Sequence, residues 1–101
     1  MLTKKVYEEL ELLSRHIRVL EVVMNNQPIG ITRIAKMLRI EEYEVRHSLS
    51  VLEDNGLILP TPSGAIVQED VKGKLLSMAE DLHQMEDTMK LLRSMILKLV
   101  V

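Results

Sequence analysis

The sequence predicts a mainly helical fold with one small β-hairpin and long helices at both ends. Three observations carry this. Apolar residues recur in steps of three and four through both terminal regions. The central region holds two short segments of helical period, and between Gly56 and Gly64 the pattern turns to short apolar runs around Pro and Gly. The composition agrees, because 47% of the 101 residues are hydrophobic while aromatics are two Tyr with no Trp or Phe. Seven Met with Leu, Ile and Val must then fill an aliphatic core, which is the composition of helix packing.

The first helix is read from Val6, Leu10, Leu13, Ile17, Leu20 and Met24, with Glu8, Glu9, Glu11, Arg15 and Arg18 elsewhere, an amphipathic pattern about six turns long. Asn25 to Gly30 should stop it, since Pro28 has no N–H to donate and Gly30 tolerates positive φ. The second helix, "ITRIAKML", is expected to take Thr32 as its N-cap and to bury Ile34, Ala35 and Leu38, with Arg33, Lys36 and Arg39 on the other side. The third follows "LRIEE", buries Val45, Leu49 and Leu52, and ends at Asn55-Gly56, where Gly suits the left-handed position after a helix. Two helices across a tight turn form a helix-turn-helix unit.

Beyond Gly56, "LIL" and "AIV" flank Pro60-Thr61-Pro62-Ser63-Gly64 and read as a hairpin, or wing. Glu69 and Asp70 then place carboxylates at the positive end of a last helix of about 30 residues, with no Pro and no Gly after Gly73. Its apolar stripe is Val71, Leu75, Met78, Leu82, Met85, Met89, Leu92, Ile96 and Leu99, four heptads of a and d positions. A helix of that length outruns a small domain, so these nine residues are the expected dimerisation surface, helped by residues 1 to 14. With Leu75 at position a, Asp81 at g and Glu86 at the following e repel in a parallel pair, which favours antiparallel pairing or a four-helix arrangement with the first helices. The domain organisation that follows is 1–68 for the helix-turn-helix domain with its N-terminal helical extension, and 69–101 for the dimerisation helix.

Taken together, "ITRIAKMLRIEEYEVRHSLSVLEDNGLILPTPSGAIV" resembles the winged helix-turn-helix of small prokaryotic transcriptional regulators, including arsenic-repressor-like families and predicted archaeal regulators. The resemblance covers about residues 15 to 68 and rests most on "IAKML" and "VRHSLSVLEDNGLI". It implies that the second helix of the motif lies in the major groove while the first braces phosphates, dimers spanning two half-sites. Carried over, Tyr43, Arg46, His47 and Ser50 face DNA, and Thr32, Arg33 and Lys36 meet phosphates. Arg39 stands where the family often has Gly, Glu41 where the cap is often Ser, Thr or Asp, and the loop from Pro60 to Gly64 has no Lys or Arg to offer the minor groove.

Charge tempers that implication. The formal net charge is −2, so no global attraction to a polyanion exists and any DNA binding must come from a local patch. Glu41, Glu42 and Glu44 open the third helix, where acidic groups favour the macrodipole by about 0.3 to 1 kcal/mol each. The same charges oppose phosphate. On a helical projection centred on Val45, the outward residues are Tyr43, His47, Ser50 and Asp54, a mixed face.

Other chemistries find little support. There is no Cys, hence no disulfide and no thiolate metal site. His16, His47 and His83 stand apart from any second ligand, which predicts surface histidines, no metal and no general base. No phosphate loop or nucleophile arrangement is present, so no enzyme and no cofactor are expected. The Met residues of the last helix read as core filling. Apolar runs are far shorter than the roughly 20 residues of a membrane span, and a soluble cytoplasmic protein is expected. The expected function is sequence-specific DNA binding by a homodimeric transcriptional regulator on a two-fold symmetric site, with half-sites about 10 base pairs apart or a multiple. The alternative is a winged-helix module that binds protein and not DNA. The operator, the direction of regulation and any small-molecule effector have no signature in the sequence.

Overall fold

The computed structural model describes residues 1–101. The chain is mainly helical: α1 (Lys4–Asn26), α2 (Ile31–Leu38), α3 (Glu42–Asp54), β1 (Ile58–Thr61), β2 (Gly64–Val67) and α4 (Val71–Lys98). It divides into two compact units, Met1–Val71 and Lys72–Val101.

In the first unit α1 packs on α2, α3 and β2, and α3 packs on α2 and β1. Val19 and Val23 of α1, Ile34 of α2 and Val45 of α3 are fully buried at its centre, with Leu57, Ile58 and Ala65 closing it from the hairpin side. The face that α1 gives to this core differs from the expected stripe. His16, Val19, Leu20, Val22 and Val23 are buried, whereas Val6 and Ile17 are 58% and 41% exposed. At 100° per residue the two faces are about 110° apart, with Leu20 on their shared edge. The helix carries two apolar faces: the compact β-branched one is taken by the core, and the longer one is only partly covered, with Leu10, Leu13 and Met24 half-buried.

The start of α2 also departs from expectation. Its N-cap is Gly30 and not Thr32, because the helix begins at Ile31 and Ile34 N–H already donates to Gly30 C=O at 3.2 Å. Gly30 has φ −94°, open to any residue, so no left-handed turn is made there. Thr32 falls in the first turn and points its hydroxyl at Glu42 Oε1, 3.5 Å away. The left-handed residue is Arg39 (φ 57°), whose N–H caps Ala35 C=O. An L-residue there costs roughly 1 kcal/mol, which explains why Gly is favoured at such a turn.

Helix α3 opens on Glu41 and Glu44. Glu41 N–H donates to Glu44 Oε1 at 3.2 Å, a capping box in which the carboxylate three residues into the helix satisfies an otherwise orphan donor. Its buried residues are Val45, Ser48 and Leu52, while Leu49, expected inside, is half-buried. The helix stops at Gly56 (φ 70°), after which Leu57 N–H reaches Leu52 C=O at 2.9 Å.

β1 and β2 pair antiparallel in the register Ile58 to Val67, Leu59 to Ile66, Pro60 to Ala65 and Thr61 to Gly64. Thr61 Oγ1 donates to Gly64 C=O and accepts from Ser63 N–H at 3.2 Å, closing the turn. The α1–α2 linker adds a third edge: Ile29 N–H donates to Ala65 C=O at 3.2 Å and Ala65 N–H to Ile29 C=O at 2.8 Å. Gln27 Oε1 accepts from Val67 N–H at 3.0 Å beside it.

The second unit is helical. α4 has 28 residues and is about 42 Å long at 1.5 Å per residue. Val71 is buried in the first unit. Leu75, Met78 and Leu82 are half-buried, and from Met85 to Leu99 the expected stripe is exposed. No helix is long and apolar enough to cross a membrane.

Candidate nucleic-acid interface

The outward side of α3 follows from its inward one. With Val45, Ser48 and Leu52 turned to the core, residues two positions before or after them point away. Tyr43, Arg46, His47 and Ser50 are accordingly exposed, and with Val51 they line one shallow depression of about 430 Å3. Thr32, Arg33 and Lys36 are exposed on α2 and lie outside that depression. Arg33, Lys36 and Arg46 form no ion pair within the chain, so each presents a full positive charge to solvent.

The three carboxylates at the start of α3 are not equivalent. Glu44 is half-buried, caps the helix and pairs with Arg15 Nη1 at 3.5 Å, with side chains 28% and 18% exposed. Its charge is therefore offset from behind. Glu42 lies by the Thr32 hydroxyl and Glu41 is exposed. Two carboxylates, not three, remain to oppose an anion.

Behind the outward face lies a polar cluster that pattern reading missed. His16 is buried, not a surface residue as expected, and its Nδ1 lies 2.7 Å from Ser48 Oγ. Arg15 Nε donates to the same oxygen at 3.0 Å. A serine hydroxyl carries two lone pairs and one proton, so Ser48 Oγ accepts from Arg15 and still has a bond to make with His16 Nδ1, whose direction follows the imidazole tautomer. Burial first, then the positive charges of Arg15 and His47, hold the His16 pKa below the ordinary imidazole value. His47 stacks on the His16 ring with centroids 5.6 Å apart and planes 27° apart, linking the exposed face to the cluster. A signal existed in the sequence: His16 shares the three-and-four spacing of Val19, Leu20 and Val23.

A second, apolar depression of about 370 Å3 runs between α3 and the hairpin, lined by Ile29, Leu49, Ile58, Pro60 and Pro62 with Glu53 among them. No three His, Asp or Glu side chains converge to hold a metal ion. No protein-family model matches the chain, and a comparison with curated proteins finds no match.

Proposed function

We propose that this protein is a sequence-specific DNA-binding transcriptional regulator with a winged helix-turn-helix, acting as a homodimer on a two-fold symmetric site. The observation that carries the reading is the separation of charge around α3. Arg33, Lys36 and Arg46 stand exposed and unpaired, while the innermost carboxylate of the helix entrance, Glu44, is engaged by Arg15. α3 is the reading helix, with Tyr43, Arg46, His47 and Ser50 toward the bases, and α2 sets the phosphates against Thr32, Arg33 and Lys36. The β1–β2 hairpin is the wing, and its tip at Pro62-Ser63 brings no cation, so affinity rests on the helices. Dimerisation uses the exposed stripe of α4 with help from the start of α1, where Val6 and Tyr7 are more than half exposed.

Titration against random duplex DNA at two salt concentrations tests this. Two phosphates neutralised per chain, by Arg33 and Lys36, and so four per dimer, predict binding at ~50 mM salt and a loss on the order of a hundred-fold by ~200 mM. No binding at the lower salt overturns the proposal. The exposed Tyr43 beside Glu41 and Glu42 favours a protein-binding surface in that event.

A further inference from the structure

The apolar stripe of α4 is accompanied by a change of charge along the helix. Glu80, Asp81, Glu86 and Asp87 make residues 80–87 acidic, whereas Lys90, Arg93 and Lys98 make residues 90–98 basic with no carboxylate. Over the same stretch Met85, Met89, Leu92, Ile96 and Leu99 are 43% to 84% exposed. With Leu75 at position a, the a positions continue through Leu82, Met89 and Ile96 and the d positions through Met78, Met85, Leu92 and Leu99. The flanking e positions are Ala79, Glu86, Arg93 and Val100, and the g positions Lys74, Asp81, Thr88 and Met95.

We propose that α4 pairs antiparallel with α4 of a second copy, in the register that sets Met89 against the second copy's Leu92 and Glu86 beside the second copy's Arg93. This rests on the homodimer reading above and fixes its geometry. In an antiparallel pair a faces d, e flanks e and g flanks g. The two-fold axis then passes between Lys90 and Leu91, and six layers form from Leu82 against Leu99 through Met85 against Ile96 to Met89 against Leu92, each occurring twice. The overlap spans the exposed part of the stripe.

Charge selects this register from its neighbours. Sliding by one heptad so that Leu82 meets Leu92 sets Glu86 against its own copy, and sliding the other way so that Met89 meets Leu99 sets Arg93 against its own copy. Parallel pairing opposes Asp81 to Glu86 twice. Of the three registers the proposed one alone pairs Glu86 with Arg93, which it does twice, and no like charges meet at its e and g contacts. It also accounts for apolar residues off the stripe: Val100 falls against Ala79 and Met95 against Thr88. Within its own chain Glu86 approaches His83 at 4.0 Å with both side chains 66% exposed, a contact loose enough to yield to an arginine.

The chain has no cysteine, so introduced thiols report the pairing without background. Leu82→Cys and Leu99→Cys are prepared separately and as an equal mixture, then oxidised. The expected result is a covalent dimer in the mixture alone, because two residues 82 lie about 25 Å apart along an antiparallel coil, beyond disulfide reach. Self-linking of either variant overturns the orientation, and linking of Leu82→Cys to Leu92→Cys overturns the register. A wild-type chain that sediments as a monomer overturns the homodimer reading itself. A charge test guards against damage from the thiols: Glu86→Arg weakens the dimer by about ten-fold and adding Arg93→Glu restores it. Parallel pairing predicts the opposite sign for Glu86→Arg, because that change relieves the repulsion with Asp81.

Discussion

His16 Nδ1 lies 2.7 Å from Ser48 Oγ in the buried interior between α1 and α3. The hydroxyl is held from its other side by Arg15, whose Nη1 reaches Glu44 at the entrance of α3. One serine thus ties the long first helix to the helix whose outer face carries Tyr43, Arg46, His47 and Ser50. Protonating His16 places a second cation directly beside Arg15 and leaves Nδ1 able only to donate.

Stability should therefore fall in mild acid. The folded-state pKa of His16 is depressed, so the unfolded chain takes up a proton at higher pH than the native one. The cluster's full contribution is present above the unfolded value near 6.5 and declines as the pH drops below it toward the lower folded value. Urea unfolding at pH 7.5 and 5.5 should show the decline in the wild type and a smaller one in His16→Gln. Equal slopes in the two proteins would remove His16 as the cause.

Ser48→Ala removes the shared hydroxyl and leaves His16 Nδ1 and the Arg15 donor without it. A loss of about 1 to 3 kcal/mol is expected from unsatisfied buried polar groups. An unfolding midpoint unchanged from wild type would mean that water replaces the hydroxyl.

Gly64→Ala should be severe. Its φ of 128° is strained for any side chain, and an added Cβ would sit 2.6 Å from the Ile29 carbonyl carbon. Losses of at least about 2 kcal/mol follow from backbone strain and from parting Ile29 from Ala65. Gly73→Ala is the control, since nothing lies within 4 Å of its Cβ and helix propensity favours Ala by up to about 1 kcal/mol. Similar midpoints for both variants would contradict the close approach of the linker to β2.

Arg39→Gly should stabilise the protein, by roughly 1 kcal/mol less the entropy of the freed unfolded chain. Arg39 is exposed, left-handed and in no ion pair, so relief of strain is not offset by lost contacts. Thermal unfolding reads the sign, and a lower midpoint would show that the arginine side chain has an energetic role in the turn.

Arg33→Glu with Lys36→Glu tests the proposed phosphate contacts. Both side chains are exposed, so folding and sedimentation should match wild type while affinity for duplex DNA falls below detection. Unaltered DNA binding would move the contact surface away from α2.

The sequence by itself determined the elements. The spacing of Val45 and Leu52 required a helix, Gly56 ended it, and "LIL" and "AIV" around Pro62 required a hairpin, because each of these is set by neighbours within a few residues. The outward position of Tyr43, Arg46, His47 and Ser50 followed from the same period. What only the tertiary structure decided lies between elements distant in the chain. Which of two apolar faces of α1 entered the core, that His16 and Ser48 are buried together 32 residues apart, that Arg15 turns to Glu44, and that Ile29 joins β2 all depend on meetings across the fold. A polar residue is buried only where its partner also arrives, so its place is written in two segments at once and in neither alone.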